Sequence, residues 1–285
     1  LSIMDGFIRA HLALICSMEA APSQYQFHQT IDPKLLVPLQ KEWEKSLLAP
    51  QDGMWEMLRS YATQWELREG EQLIGYASVD DENRLLQFYL ISEHLQNGAE
   101  ILQQFIEQEG ISKALIGTHN PIALSLGIHL QKEVTVDTYL FEDHLEVSPP
   151  EKEGTLRVAT LPELEKMVDF YHHSMGGPKD WLNAYLGDLL GKEEVFYLEQ
   201  EGEIRGVCEV RRSTNNPNIA DIGMVVSPDF RQKGYGTYLL GQAKAKAIEW
   251  GRSPICSCEK GNAGSMKSIQ NNGFRSFHQL LLMEF

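Results

Sequence analysis

The sequence predicts a mixed α/β fold (α+β, with a mixed sheet) built as two tandem units, each a central mixed β-sheet flanked by helices. Three observations predict it. Its 285 residues suffice for two ordinary domains. The stretch Glu146-Val-Ser-Pro-Pro-Glu-Lys-Glu-Gly154 resists helix and strand through its paired prolines and stays wet through its charges. On either side of it, elements recur in the same order. Leu73–Val79 matches Ile204–Val210, each after an acidic-glycine turn, Glu69-Gly-Glu71 or Glu201-Gly-Glu203, and Asn120 mirrors Asn262. The predicted divisions are a poorly informative extension over 1–20, a first unit over 21–148, a linker over 149–154 and a second unit over 155–285.

In the first unit, Pro38–Leu48 has helical spacing, with the proline tolerated because it opens the first turn. Met54–Tyr61 and Gly98–Gln108 also space as helices, whereas Trp65–Arg68, Leu73–Val79, Leu85–Ile91, Ala114–Gly117 and Thr135–Phe141 pattern as strands. In the second unit, Thr155–Thr160 is a short strand. Leu161–Leu190 is helical, broken at Gly176-Gly177-Pro178. Strands follow at Val195–Gln200, Ile204–Arg211 and Ile219–Val226, then a helix from Gly236 to Trp250 ended by Gly251. A strand at Pro254–Cys258, a helix at Ala263–Asn271 and terminal strands to Phe285 complete the chain.

Lysine and arginine number 25 against 40 aspartates and glutamates, a net charge of −15. Nucleic-acid affinity rests on cationic side chains neutralising phosphates, so no nucleic acid partner is expected. No apolar run reaches the roughly 18–20 residues that span a bilayer, so no membrane partner is expected either. The nearest, His11–Met18, is short and opens on a histidine, a weak match to a signal peptide. Four cysteines (Cys16, Cys208, Cys256, Cys258) are too few for a disulfide framework and point to a reducing, cytoplasmic setting. Cys256 and Cys258 lack the second pair that zinc requires, so no metal is expected; strand alternation puts both on one packing face.

The stretch from Met224 to Leu240 carries the chemistry. A buried strand ends at Val226 and Pro228 blocks its extension; Arg231-Gln-Lys-Gly-Tyr-Gly236 then opens an amphipathic helix. Gly234 and Gly236 remove Cβ atoms that would hold an anion off the backbone. The first helical turn leaves N–H groups unpaired at the positive end of the macrodipole. Arg231 and Lys233 add formal charge at the rim, and the whole is a diphosphate cradle. The plain alternative is a glycine-rich turn that merely joins strand to helix. The spacing is neither a Walker loop nor the three-glycine dinucleotide pattern.

Downstream, Asn262 follows a strand end, Ser265 lies three residues on, and Asn272-Gly273-Phe274 closes the next helix. With Arg-x-x-Gly-x-Gly after a strand carrying Met224-Val-Val226, the region 155–285 resembles the GNAT superfamily of N-acetyltransferases. The resemblance implies two splayed parallel strands, ending at Val226 and near Cys258, that admit acetyl-CoA or another acyl-CoA as cosubstrate. Main-chain groups of Met224, Val225 and Val226 would pair with the pantetheine amides. The N–H groups of Arg231, Gln232, Lys233, Gly234, Tyr235, Gly236 and Thr237 would hold the pyrophosphate. Asn262 and Ser265 would flank the pantetheine arm, Asn262 also serving as a helix N-cap. The implied reaction is direct acetyl transfer to a primary amine, without a covalent enzyme intermediate. Its acceptor would be an amine, as the acidic charge favours, a small molecule before others; a small amine, an amino acid, an aminoglycoside-like compound and a protein terminus all stay open.

The pattern also departs from the family. Positions matching the usual carboxylate base, Ala220 and Ile222, are apolar. Asp221 points to the opposite face unless a bulge turns it, and Glu209 on the neighbouring strand is the other candidate, set against a plain solvent-facing position. The tyrosine that protonates the leaving thiolate would fall at Ile269. Tyr235, Tyr238 and His278 are nearby substitutes, Tyr238 and His278 reading more simply as structural. Trp181 and Tyr185, one helical turn apart, read as packing in a region where relatives bind acceptors. The first unit lacks the cradle: Ser92–Gly98 holds one glycine, no lysine or arginine, and Glu93. Asn120 to Gly127 is about a helical turn shorter than Asn262 to Gly273. The first unit therefore reads as a degenerate GNAT-like domain that shapes the substrate side of the cleft or an intramolecular interface. Two other functions fit the missing base and tyrosine: a non-catalytic acyl-CoA-binding regulator, and a structural protein using the scaffold.

Overall fold

The computed structural model describes residues 24–148 and 150–285; the extension over 1–20, with His11–Met18 and Cys16, lies outside the described residues. In the first half the order is β1 (Tyr25–Gln29), α1 (Val37–Ser46), α2 (Gly53–Tyr61), β2 (Thr63–Glu69), β3 (Gln72–Val79), β4 (Arg84–Leu90), α3 (Gly98–Glu109), β5 (Lys113–Gly117), α4 (Pro121–Leu130) and β6 (Glu133–Asp143). The second half continues with β7 (Thr155–Val158), α5 (Leu164–Met175), α6 (Lys179–Gly191), β8 (Val195–Gln200), β9 (Glu203–Arg212), β10 (Ile219–Val226), α7 (Tyr235–Glu249), β11 (Ser253–Glu259), α8 (Ala263–Asn271) and β12 (Phe274–Glu284).

Local chemistry sets several boundaries. Asp52, Asn120 and Asn262 cap α2, α4 and α8, each side chain accepting a hydrogen bond from the backbone N–H three residues on. Asn272 donates to the carbonyls of Ser268 (2.8 Å) and Thr237 (2.9 Å), pinning the end of α8 to the start of α7. Gly273 follows at φ +87°, where a Cβ would meet the Leu145 carbonyl at 2.1 Å, and Phe274 then enters the core.

The two sheets expected from the sequence are one. Twelve strands form a continuous sheet in the order β1-β2-β3-β4-β5-β12-β6-β11-β10-β9-β8-β7. The last strand of each half lies against the fifth strand of the other: β12 pairs with β5 and β6 with β11, while β12 and β6 pair with each other along the seam. A cut in the linker thus divides the chain without dividing the sheet.

Two elements escaped the sequence reading, β1 and α4. The predicted shortening after Asn120 is also wrong, because α4 runs ten residues and α8 nine. Gly127 is not the counterpart of Gly273. It lies inside α4, where a Cβ would strike Ile116 Cδ1 at 2.7 Å, so it permits the helix to sit on β5 and β12. The terminal strands are one bulged strand, β12, with register shifts at Ser276/His278 and Leu280/Leu281.

Candidate active site

Strands β10 and β11 pair in parallel only at Ile219↔Ser253, Ala220↔Pro254 and Asp221↔Ile255. Beyond Asp221 they diverge, so the edge of β10 from Ile222 to Val226 that faces β11 has no strand partner. A cavity of about 780 Å³ fills the opening. It is lined by Met224, Val225 and Val226 on one side, Asn262 and Ser265 on the other, and Arg231, Gln232, Gly234, Gly236 and Thr237 at its head. The structure thus gathers almost all the predicted binding residues around one wedge; Lys233 and Tyr235 lie behind it.

The head of the wedge is electropositive through its backbone. Gln232 and Gly234 both adopt left-handed conformations, at φ +60° and +83°, which turn successive amides inward. Among the described residues no hydrogen-bond acceptor meets the N–H groups of Gln232 through Thr237; the first bond of α7 is Tyr238 N–H to the Gly234 carbonyl at 3.1 Å. Arg231 is the exception, its amide donating to the Pro228 carbonyl at 3.4 Å.

Two expectations about side chains are corrected. The Arg231 guanidinium donates to the carbonyls of Ser174 and Val226, and Lys233 donates to the Asp229 carbonyl at 2.9 Å. These cations therefore brace the loop as well as charging it. Gly236 is needed for helix contact, since a Cβ there would sit 2.8 Å from Ser268 Oγ. The sequence reading missed Lys152. This linker residue donates to the Lys233 carbonyl at 2.7 Å and lies 5.0 Å above the Tyr235 ring. Its ammonium is 3.5 Å from where a Gly234 Cβ would stand. Only its charge, within an otherwise acidic linker, marked it.

The candidate bases lie deeper. Strand β9 runs against β10 without a register shift, so no bulge turns Asp221; it faces away from Ala220 and Ile222, which pack beneath α7. Glu209 is not solvent-facing: it is 5 % exposed and sits opposite Gly223. Its oxygens accept from Tyr171 (2.6 Å), Tyr185 (2.6 Å) and Arg211 (2.6 Å). Arg211 also donates to Asp221 Oδ1 at 2.8 Å, and the Gly53 N–H of the first half donates to Asp221 Oδ2 at 2.5 Å. Burial, with the nearby Asp52 charge, pushes the Asp221 carboxyl up to about 7 against the opposing pull of Arg211. Burial and the Glu209 charge drive Tyr171 and Tyr185 well above the usual phenol range, so both stay protonated donors. The signal for this network was Glu209 and Arg211 at i and i+2 inside an apolar strand, which places both charges on one buried face.

The other candidates are structural. Tyr238 and Ile269 pack in the core, as do Cys208, Cys256 and Cys258. Tyr235 bonds Gln200 at 3.2 Å. His278 is not in the wedge; it meets Thr118 at 3.3 Å and faces His119, which burial and His278 push down to about 4. Tyr185 is more than packing, since its hydroxyl belongs to the network while its ring stacks on Trp181 at 5.0 Å. The first half has a matching divergence, β4 and β5 pairing only at two positions. There the cradle position is a 3₁₀ turn, Ser92–Asn97, and a Cβ added at Gly98 would stand 3.1 Å from Leu126 Cδ2.

A splayed parallel pair with an amide cradle at its head is the arrangement that the resemblance of residues 155–285 implies. The profile described as "Acetyltransferase (GNAT) domain" matches residues 34–144, and that described as "Acetyltransferase (GNAT) family" matches residues 158–274. The chain belongs to the GNAT acetyltransferase superfamily and carries two GNAT domains in tandem. A GNAT-family acetyltransferase from Colwellia psychrerythraea superposes with a TM-score of 0.87 at 24 % identity, over 91 % of this chain and 99 % of that one. A GCN5-related N-acetyltransferase from Sphaerobacter thermophilus gives 0.64 at 15 %, over 93 % and 96 %. A tandem GNAT protein from the clavulanic acid biosynthesis pathway gives 0.63 at 12 %, over 91 % and 97 %. At these identities the structures establish the shared fold. No curated protein matches the chain in sequence. Among the described residues no helix is long and apolar enough to cross a membrane, and no group of side chains forms a metal site.

Proposed function

We propose that the chain is an acetyl-CoA-dependent N-acetyltransferase that moves an acetyl group to a primary amine by direct attack. The observation that carries this reading is the row of unpartnered amides, Gln232 to Thr237, at the head of the open strand pair. They suit a pyrophosphate, and the unpaired edge of β10 suits a pantetheine arm. Bound there, the cosubstrate supplies an activated thioester carbonyl.

The residues below the wedge fit proton removal. Asp221 has its two oxygens fixed by Arg211 and Gly53, and each keeps a second lone pair for the ammonium proton. Its carboxyl titrates near neutral pH, where a general base is most effective. Glu209 positions this base through the shared Arg211. As the amine attacks, the new C–N bond replaces the C–S bond, and the departing thiolate takes up the second proton that the attacking nitrogen sheds, leaving amide and thiol.

Stabilisation by ligand tests the binding reading. Acetyl-CoA at a hundred times its dissociation constant should add about 2.7 kcal/mol to unfolding. No shift in the thermal midpoint would sink both transfer and mere acyl-CoA binding, leaving the scaffold reading. Thiol release across a panel of amines then separates a transferase from a binder. Lys152→Ala should weaken acetyl-CoA binding by about tenfold at low salt and less at high salt, as for one lost charge-assisted contact. Salt-independent affinity in the variant and parent alike would remove Lys152 from the cradle.

The pH dependence follows from Asp221. Its deprotonated form is the working base, so kcat/KM should rise with pH through about 7. Asp221→Asn should flatten that rise, whereas Glu209→Gln should lower the rate while the rise persists. Since folding raises this pKa above its ordinary value, the stability it contributes is present at acid pH and lost as pH rises through about 7.

A further inference from the structure

A second cavity, of about 370 Å³, opens between the two halves beside the Asp221 network. The first half contributes Gly53, Met54, Glu56, Met57 and Tyr61 from α2; the second contributes Trp181 and Tyr185 from α6, and Arg211 and Asp221 from the sheet. Its charged groups are nearly all matched. Asp188 pairs with Lys192 at 2.6 Å, Glu194 with Arg212 at 2.7 Å, and Asp221 with Arg211 at 2.8 Å. Glu56 is the exception among the described lining residues: it forms no ion pair, and its carboxylate accepts from the neutral Ser213 hydroxyl at 2.9 Å. The nearest cation on its own helix, Arg59, is turned to Glu44 at 3.4 Å.

We infer that this cavity receives the acceptor, and that the acceptor is a monoamine with a flat apolar body, its ammonium held by Glu56 of the first half. Three features select that class. One unmatched carboxylate serves one cation, which disfavours polyamines and amino sugars with several ammonium groups. No unmatched cation lines the cavity, so an amino acid's carboxylate would have no partner. The walls are flat or soft: Trp181 and Tyr185 stack at 5.0 Å with their planes 9° apart, and Met54 and Met57 face them with adaptable thioethers. Trp181 remains 38 % exposed and Tyr61 78 %, leaving aromatic surface at the mouth for a second ring or for cation–π contact. Burial raises the Glu56 carboxyl above its ordinary range, outweighing the Ser213 bond and the more distant pull of Arg59. Asp221, the proposed base, lines the same cavity, so an amine held there is on the base's side of the wedge.

This inference rests on the transferase reading for its meaning but not for its test. Phenethylamine is the probe and phenylpropionate, of similar shape and opposite charge, is the control, both followed by saturation-transfer NMR on the full chain. Phenethylamine should bind and phenylpropionate should not. Glu56→Gln, which can still accept from Ser213, should weaken phenethylamine at least tenfold while leaving acetyl-CoA affinity by calorimetry unchanged. In thiol release it should raise KM for phenethylamine with little change in kcat. Trp181→Ala should weaken the amine independently of charge. Equal binding of phenethylamine to parent and Glu56→Gln would overturn the assignment, as would preference for the carboxylate or for spermidine. If acetyl-CoA fails to bind while phenethylamine binds through Glu56, the transferase reading falls and the amine site stands.

Discussion

Replacing Gly234 with aspartate is expected to weaken acetyl-CoA binding by about a hundredfold or more while lowering the thermal midpoint by only a few degrees. The position lies at φ +83°, and only Lys152 Cε and Nζ, at 3.5 Å, stand near the added Cβ. Aspartate tolerates the left-handed region better than most residues, and its carboxylate would pair with Lys152. Folding therefore loses only the strain of a side chain at positive φ, on the order of 1 kcal/mol. Binding loses twice, because the new charge sits among the amides meant for the pyrophosphate and spends the Lys152 cation. A like charge about 4 Å away at an effective dielectric near 20 opposes binding by about 4 kcal/mol before screening. Since about 1.4 kcal/mol is a tenfold change, about 2.8 kcal/mol, some two-thirds of that figure, gives the stated loss. Gly234→Asn carries the same backbone demand without the charge and should lose far less. Calorimetry that finds parent, Asn and Asp variants alike would show that the amides between Gln232 and Thr237 hold no diphosphate.

Arg211→Met should be the most damaging single change to stability. The guanidinium is enclosed and bridges Glu209 to Asp221, with Tyr185 as a further partner. Removing it leaves two buried carboxylates without their shared counterion. Breaking a buried pair in this way costs about 3–5 kcal/mol. For a chain of this size that lowers the midpoint by on the order of 10 °C. The loss should shrink at acid pH, where Asp221 takes up a proton and needs no cation. A loss below about 1 kcal/mol at neutral pH would mean that the network is solvated, contrary to its burial.

Most of this architecture was legible because the signals were local. Val195–Gln200, Ile219–Val226 and Ala263–Asn271 were placed to the residue, each bounded by a turn, a proline or a capping asparagine. The cradle was legible for the same reason, since two glycines after a buried strand impose their conformation on the backbone alone. Helix α4 was missed because Pro-Ile-Ala-Leu-Ser-Leu-Gly-Ile-His-Leu is apolar on nearly every side and shows no 3.6-residue period. Strand β1 is short and lies at the sheet edge, with a buried-exposed alternation too brief to register. What local pattern does not encode is which strand pairs with which. The exchange of β6 and β12, the reach of Lys152 across to Gly234 and the Gly53 bond to Asp221 all join residues far apart in sequence. Glu209 was misjudged for that reason, its burial being created by α5 and α6.

The strand exchange has a consequence for how the chain is made. While the polypeptide is still emerging from the ribosome, the first hundred and forty or so residues have no partner for the inner edge of β5. That partner, Leu280–Glu284 of β12, is synthesised more than 150 residues later. The nascent first half must wait with an open, hydrogen-bond-hungry border that invites chaperones or a neighbouring nascent chain. Maturation is then closed by a single late event, the insertion of one strand that completes both halves together.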